Sequence, residues 1–160
     1  MPIKFNADEI LQMAEQIEHN GVKFYSLVAG QLNQFHDLFA QLAREEKKHL
    51  AIFTGMRKKL SAADRESTAY DPDSQNNLYL QALADREVFK TNVDPRKILP
   101  SAATLAQVID LAIGKEKDSI VFYVGARELV PEKLGREKIN SIIAEEYGHI
   151  AFLRGITLNR

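Results

Sequence analysis

Two short stretches carry side chains able to hold metal ions: Glu46-Lys47-Lys48-His49 and, one hundred residues later, Glu146-Tyr147-Gly148-His149. In each a Glu precedes a His by three positions, which on an α-helix stacks an oxygen donor and a nitrogen donor on one face, a turn apart. The neighbouring residues say whether that face is wet or buried. Steps of three and four through the first copy meet Phe35, Phe39, Leu42, Glu46, His49, Phe53, Met56 and Leu60; through the second they meet Ile139, Ile142, Glu146, His149, Leu153 and Ile156. Each pair therefore interrupts the apolar stripe of its helix. A buried carboxylate needs a compensating charge, and a bound cation supplies one. A satisfied polar network without metal would account for one such pair, but not for its repetition.

Those pairs need helices to carry them. Asn6 followed by Glu9 marks a helix start, and the first helix runs to about Ala29, with Leu11, Ala14, Glu18, Gly21, Tyr25 and Val28 on its inner stripe. Glu15 stands one turn before Glu18 as an alternative donor; the small residues Ala14 and Gly21 beside Glu18 favour the latter. The second helix spans Phe35 to Leu60, and the cations Arg57, Lys58 and Lys59 suit its negative end. From Ser61 to Pro100, turn residues surround a shorter helix suggested by Leu78, Leu80, Leu83, Val88 and Phe89, as in a crossover between the ends of a bundle. The third long helix, capped by Ser101, runs to about Val130 and carries Leu105, Ile109, Ala112, Glu116, Ser119 and Tyr123 on its stripe. The fourth runs from near Glu132 to about Arg154 and stops at Gly155.

The halves repeat. Glu18, Phe24 and Tyr25 match Glu116, Phe122 and Tyr123, and Glu45, Glu46 and His49 match Glu145, Glu146 and His149. Each half is thus a helical hairpin with one Glu on its first helix and Glu-x-x-His on its second, related about a pseudo-twofold axis. The predicted fold is all-α, a four-helix bundle with a long crossover, containing a short helix, between helices 2 and 3. Four carboxylates against two divalent cations leave the core neutral when both imidazoles are neutral. Glu45 and Glu145 lie one residue off the stripe and read as solvated, as do His19, His36, Asp110 and Asp118.

Composition narrows the function. The 160 residues are most simply one domain, 1–160, with 21 Lys plus Arg against 22 Asp plus Glu, so no basic footprint argues for nucleic acid. The absence of cysteine excludes thiolate-held metal and a Cys nucleophile. No apolar run reaches membrane-spanning length, the acidic start of the chain lacks a signal-peptide pattern, and a cytoplasmic location is the default expectation.

With Glu18 followed by Tyr25, Glu46-x-x-His49, Glu116 followed by Tyr123, and Glu146-x-x-His149, nearly the whole chain resembles the rubrerythrin family of the ferritin-like superfamily, in the short form without a rubredoxin domain. That resemblance implies a ferritin-like bundle with two iron ions held by Glu18, Glu46, His49, Glu116, Glu146 and His149. It implies that Glu46 and Glu146 bridge them and that Tyr25 and Tyr123 stand behind the ligands; from the residues alone, core packing is an equal role for the two tyrosines. It also implies reduction of peroxide or dioxygen, with iron oxidation among relatives. Two departures bear on this: without cysteine the chain must take electrons from an external donor, such as a rubredoxin-like protein, and Ser119 stands where rubrerythrins carry a further Glu. Donor chemistry does not choose among iron, manganese and zinc. The alternatives to a peroxide- or dioxygen-reducing enzyme are a ferroxidase or iron-handling protein and a structural metal-binding helical module, and a homodimer is expected.

Overall fold

The computed structural model describes residues 5–66, 73, 75–84 and 103–158. Six helices occur among these: α1 (Ala7–Gln31), α2 (His36–Lys58), α3 (Ala62–Glu66), α4 (Gln75–Ala84), α5 (Leu105–Leu129) and α6 (Arg136–Leu158). Short 3₁₀ turns at Asn33–Phe35 and Glu132–Leu134 lead into α2 and α6. The four long helices form the all-α bundle expected from the repeat.

Local chemistry sets the ends. The side chain of Asn6 accepts from the Glu9 amide at 2.9 Å while the Glu9 carboxylate accepts from the Asn6 amide at 2.9 Å, closing a reciprocal cap on α1. The third long helix starts later than expected. Thr104, paired with Gln107 in the same reciprocal way, caps α5, and Ser101 lies outside the described residues. Gly155 does not end α6, which continues to Leu158. Within the crossover, Val88 and Phe89 lie outside the described residues, and the turn-like stretch after Ser61 forms α3, with the Ser61 hydroxyl bonded to Asp64 at 2.7 Å.

The registers fix the topology. Tyr25 meets Glu116 while Tyr123 meets Glu18, so α1 and α5 run antiparallel. His49 meets Glu145 while His149 meets Glu45, so α2 and α6 run antiparallel too. With short links within each hairpin, α2 and α5 must then be parallel, and the chain between them has to travel the length of the bundle. Part of that path is α4, which lies on α5: Leu80 is fully buried and the Tyr79 hydroxyl donates to the Val121 carbonyl at 2.6 Å.

Arg57 does more than face a helix end. Its guanidinium pairs with Asp8 at 2.9 Å and with Glu15 at 2.8 Å, tying α2 to α1, and Arg65 of α3 joins the same Asp8. Glu15 is thereby committed to a cation and plays no part in the inner layer. Two apolar clusters fill the bundle, one containing Ile10, Phe53, Met56, Phe122 and Ile142, the other Phe24, Phe39, Leu42, Ile109 and Leu153. Between them lies a buried layer of Glu18, Glu46, His49, Glu116, Glu146 and His149. No described helix is long and apolar enough to cross a membrane.

Candidate metal centre

Each long helix brings one or two polar residues into that layer: Glu18 from α1, Glu46 and His49 from α2, Glu116 from α5, and Glu146 and His149 from α6. All six are buried, Glu18, His49 and Glu146 completely. Among the described residues they form two overlapping groups, Glu18, Glu46, His49 and Glu146, and Glu46, Glu116, Glu146 and His149. Within each group, one donor atom from every residue lies within 4.8 Å of the others. Glu46 and Glu146 belong to both.

The distances show why. The Nδ1 of His49 lies 3.3 Å from Glu146 Oε1, 3.5 Å from Glu18 Oε2 and 4.0 Å from Glu46 Oε1. The Nδ1 of His149 lies 2.9 Å from Glu146 Oε2, 3.6 Å from Glu46 Oε1 and 3.6 Å from Glu116 Oε1. Glu146 turns one oxygen toward each imidazole, and Glu46 turns a single oxygen toward both. Glu18 serves only the His49 side and Glu116 only the His149 side. The two rings are roughly stacked, with centroids 5.8 Å apart.

The donor set fits a pair of divalent cations. Glu18 Oε2, Glu46 Oε1, both oxygens of Glu146 and the Nδ1 atoms of both His are buried with no hydrogen-bond partner outside their own cluster, and all face the same interior space. Orphaned groups of this kind each cost on the order of 1–3 kcal/mol, and more when charged, so several together in a folded core call for a cation.

Four of the six, Glu18, Glu116, His49 and His149, are also held from across the bundle. The Tyr25 hydroxyl donates to Glu116 Oε1 and the Tyr123 hydroxyl to Glu18 Oε1, so neither tyrosine is merely packed. The Nε2 of His49 bonds Glu145 Oε2 at 2.9 Å, and the Nε2 of His149 bonds Glu45 Oε2 at 2.8 Å. This corrects the reading of Glu45 and Glu145 as merely solvated. They are part-exposed, but each accepts the ring N–H of the opposite His, which fixes the tautomer that leaves Nδ1 as the inward donor. The doubled Glu that precedes each x-x-His was the signal for this role. His19, His36, Asp110 and Asp118 are exposed, as expected.

Without metal, protons take the place of cations. Burial, reinforced by Glu18, Glu146 and Glu116, holds the Glu46 carboxyl well above the usual carboxylate range. Burial, only partly offset by His149, pushes Glu116 up to about 8, and burial raises Glu18 as well. Burial alone would depress both imidazoles, but their pairing with the carboxylates outweighs it, raising His49 to about 11 and His149 to about 10. Glu146 is the exception: burial would raise it, yet pairing with both His brings it down to about 2. Burial and the neighbouring carboxylates hold both tyrosines well above their usual range, so each stays a hydrogen-bond donor.

Gly21 makes room for the shared carboxylate. A Cβ there would overlap Glu46 Oε2 and lie 3.0 Å from its Cδ, so the bare α1 backbone forms the seat against which Glu46 rests. Its counterpart in the repeat is Ser119, buried, with its hydroxyl donated to the Lys115 carbonyl at 3.0 Å. Gly21→Ala should push Glu46 off both positions and weaken metal binding by on the order of tenfold or more. Gly30→Ala, where a Cβ meets open space, should bind as the parent does. Competition against a chromophoric chelator measures both, and equal affinities for the two variants would refute this role for Gly21.

Comparison with known proteins agrees with this geometry. The family model for rubrerythrin matches residues 9–157. A crystal structure of a protein from Thermotoga maritima, described as a ferritin-like diiron-carboxylate protein, superposes with a TM-score of 0.68 at 24% identity, covering 96% of this chain and 95% of that one. At that identity the likeness establishes a shared ferritin-like fold. No curated protein sequence matches the chain.

Proposed function

The chain belongs to the rubrerythrin family, and we propose that it is a di-iron oxidoreductase, reducing hydrogen peroxide or dioxygen with electrons from an external donor. The observation that carries this reading is the pair of overlapping four-residue groups sharing Glu46 and Glu146, which suits two cations side by side and not one alone. Glu18 and His49 would complete one position, Glu116 and His149 the other. Two adjacent ions in such a set supply Lewis acidity and a store of two electrons.

The protein's own part is positioning. Tyr123 holds Glu18 Oε1 and leaves Oε2 to face His49, while Tyr25 holds Glu116 Oε1, the oxygen that also faces His149. Glu45 and Glu145 hold the ring N–H of each imidazole. The flanking apolar clusters keep bulk water from the layer. Ser119 bonds its own helix and contributes no further carboxylate, and among the described residues the donor set is these six. Reduction of hydrogen peroxide to water consumes two electrons and two protons per molecule. The 160 residues hold no cysteine, and on this proposal another protein or a small reductant supplies the electrons.

The test is oxidation of protein loaded anaerobically with ferrous iron, followed in the near ultraviolet after mixing with peroxide or with air-saturated buffer. Oxidation within seconds by either oxidant is expected. A centre left ferrous by both would overturn the redox reading and leave a structural metal site. Continued consumption of excess ferrous iron would instead make iron the substrate.

A further inference from the structure

The repeat invites the expectation of two equal metal positions, but the residues behind the two imidazoles differ. On α2, one turn before Glu45, the Gln41 amide donates to Glu45 Oε1 at 3.1 Å while Glu45 Oε2 holds His149, so Gln41, Glu45 and His149 form a chain of three. At the matching place on α6, Ser141 turns back to the Glu137 carbonyl of its own helix at 3.1 Å. The side chain of Glu145 is accordingly 52% exposed, against 27% for Glu45. The shortest and the longest inner distances follow the same order: the three carboxylate contacts of His149 Nδ1 lie at 2.9, 3.6 and 3.6 Å, those of His49 Nδ1 at 3.3, 3.5 and 4.0 Å.

We infer that the two metal positions are inequivalent: the one beside His149 fills first and holds its ion more tightly than the one beside His49. The physical reason is preorganisation. A ligand whose outer nitrogen is held by a braced, half-buried carboxylate loses less freedom on binding an ion than one held by a carboxylate that water can pull away. The inference rests on the two-metal reading above.

Repulsion between neighbouring cations would split even identical positions into two steps, so the steps alone do not decide the matter. Which residue controls which step does. Metal-free full-length protein is titrated with manganese(II) under argon by calorimetry, alongside Glu45→Ala, Glu145→Ala and Gln41→Ala. All three altered residues are at least partly exposed, and far-ultraviolet circular dichroism checks that each variant folds. Glu45→Ala should weaken the first step by roughly tenfold or more, the range typical of lost outer hydrogen bonds to ligands. Glu145→Ala should leave the first step unchanged and weaken the second. Gln41→Ala, which keeps every carboxylate, should weaken the first step less than Glu45→Ala does.

Equal effects of Glu45→Ala and Glu145→Ala, the reverse assignment, or a first step untouched by both Glu45→Ala and Gln41→Ala would overturn the inference and leave the two-metal reading in place. Binding of fewer than two ions by the parent protein would overturn that reading itself, and this inference with it.

Discussion

Stripping the metal should lower the melting temperature by roughly 10–20 °C, and the loss should widen as pH rises. An ion present at about a hundred times its dissociation constant stabilises by about 2.7 kcal/mol, so two contribute about 5 kcal/mol. For a chain of this size each kcal/mol moves the midpoint by roughly 2–4 °C. The pH trend comes from the protons that replace the ions. Glu116, lifted from 4.5 to about 8, binds a proton in the folded metal-free protein that the unfolded chain has lost, so stability falls as pH rises from 4.5 to 8. His49 and His149, lifted from 6.5 to about 11 and about 10, extend that fall into the alkaline range. Glu146 acts oppositely, costing stability as pH drops from 4.5 toward 2. The metal-free bundle is therefore most stable in mild acid, where protons compete best against cations for the loaded form. Calorimetric melts of chelated and reconstituted protein between pH 5 and pH 8.5 measure the gap. A gap of only a few degrees, or one that narrows toward alkaline pH, contradicts this account of the centre.

Loss of a single shared carboxylate should empty the whole centre. Glu146 offers one oxygen to each histidine position, so Glu146→Ala is expected to reduce bound metal from two ions per chain to none. Glu18→Ala removes a donor from one group only and should leave one ion behind. The metal-free form of Glu146→Ala should also suffer, because Glu146 is the carboxylate that stays ionised between two protonated imidazoles. Breaking a buried pair by deleting one partner typically costs about 3–5 kcal/mol, and the imidazoles would respond by giving up their protons near neutrality. Elemental analysis after reconstitution and desalting counts the ions. Two ions retained by Glu146→Ala would disprove the shared role.

Much of this was legible in the chain itself. Glu-x-x-His inside an apolar stripe is a pattern within one helix, as is the Asn6–Glu9 cap, and both appear in the structure as read. Glu18 and Glu116 stand on the inner stripes of their own helices without a second donor beside them, and the repeat matches each to the other. What escaped depends on contacts between helices. Glu45 and Glu145 sit at an angle that looks wet when their helix is taken alone, and only the antiparallel approach of α2 and α6 gives them an imidazole to hold. Arg57 looked like a charge at a helix end until α1 placed Asp8 and Glu15 beside it. Gly21 read as a small neighbour of Glu18, whereas its consequence falls on Glu46 of the next helix.

Each hydrogen-bonding buttress of the centre belongs to the opposite hairpin: Tyr25 steadies Glu116, Tyr123 steadies Glu18, Glu45 steadies His149 and Glu145 steadies His49. Neither half of the chain is therefore self-sufficient. Cut from its twin, a hairpin would keep half of the donors and lose the hydrogen bonds that aim its terminal carboxylate and its imidazole. The two halves are laced together crosswise, and a filled centre works as the knot, so they can come apart only by letting the ions go.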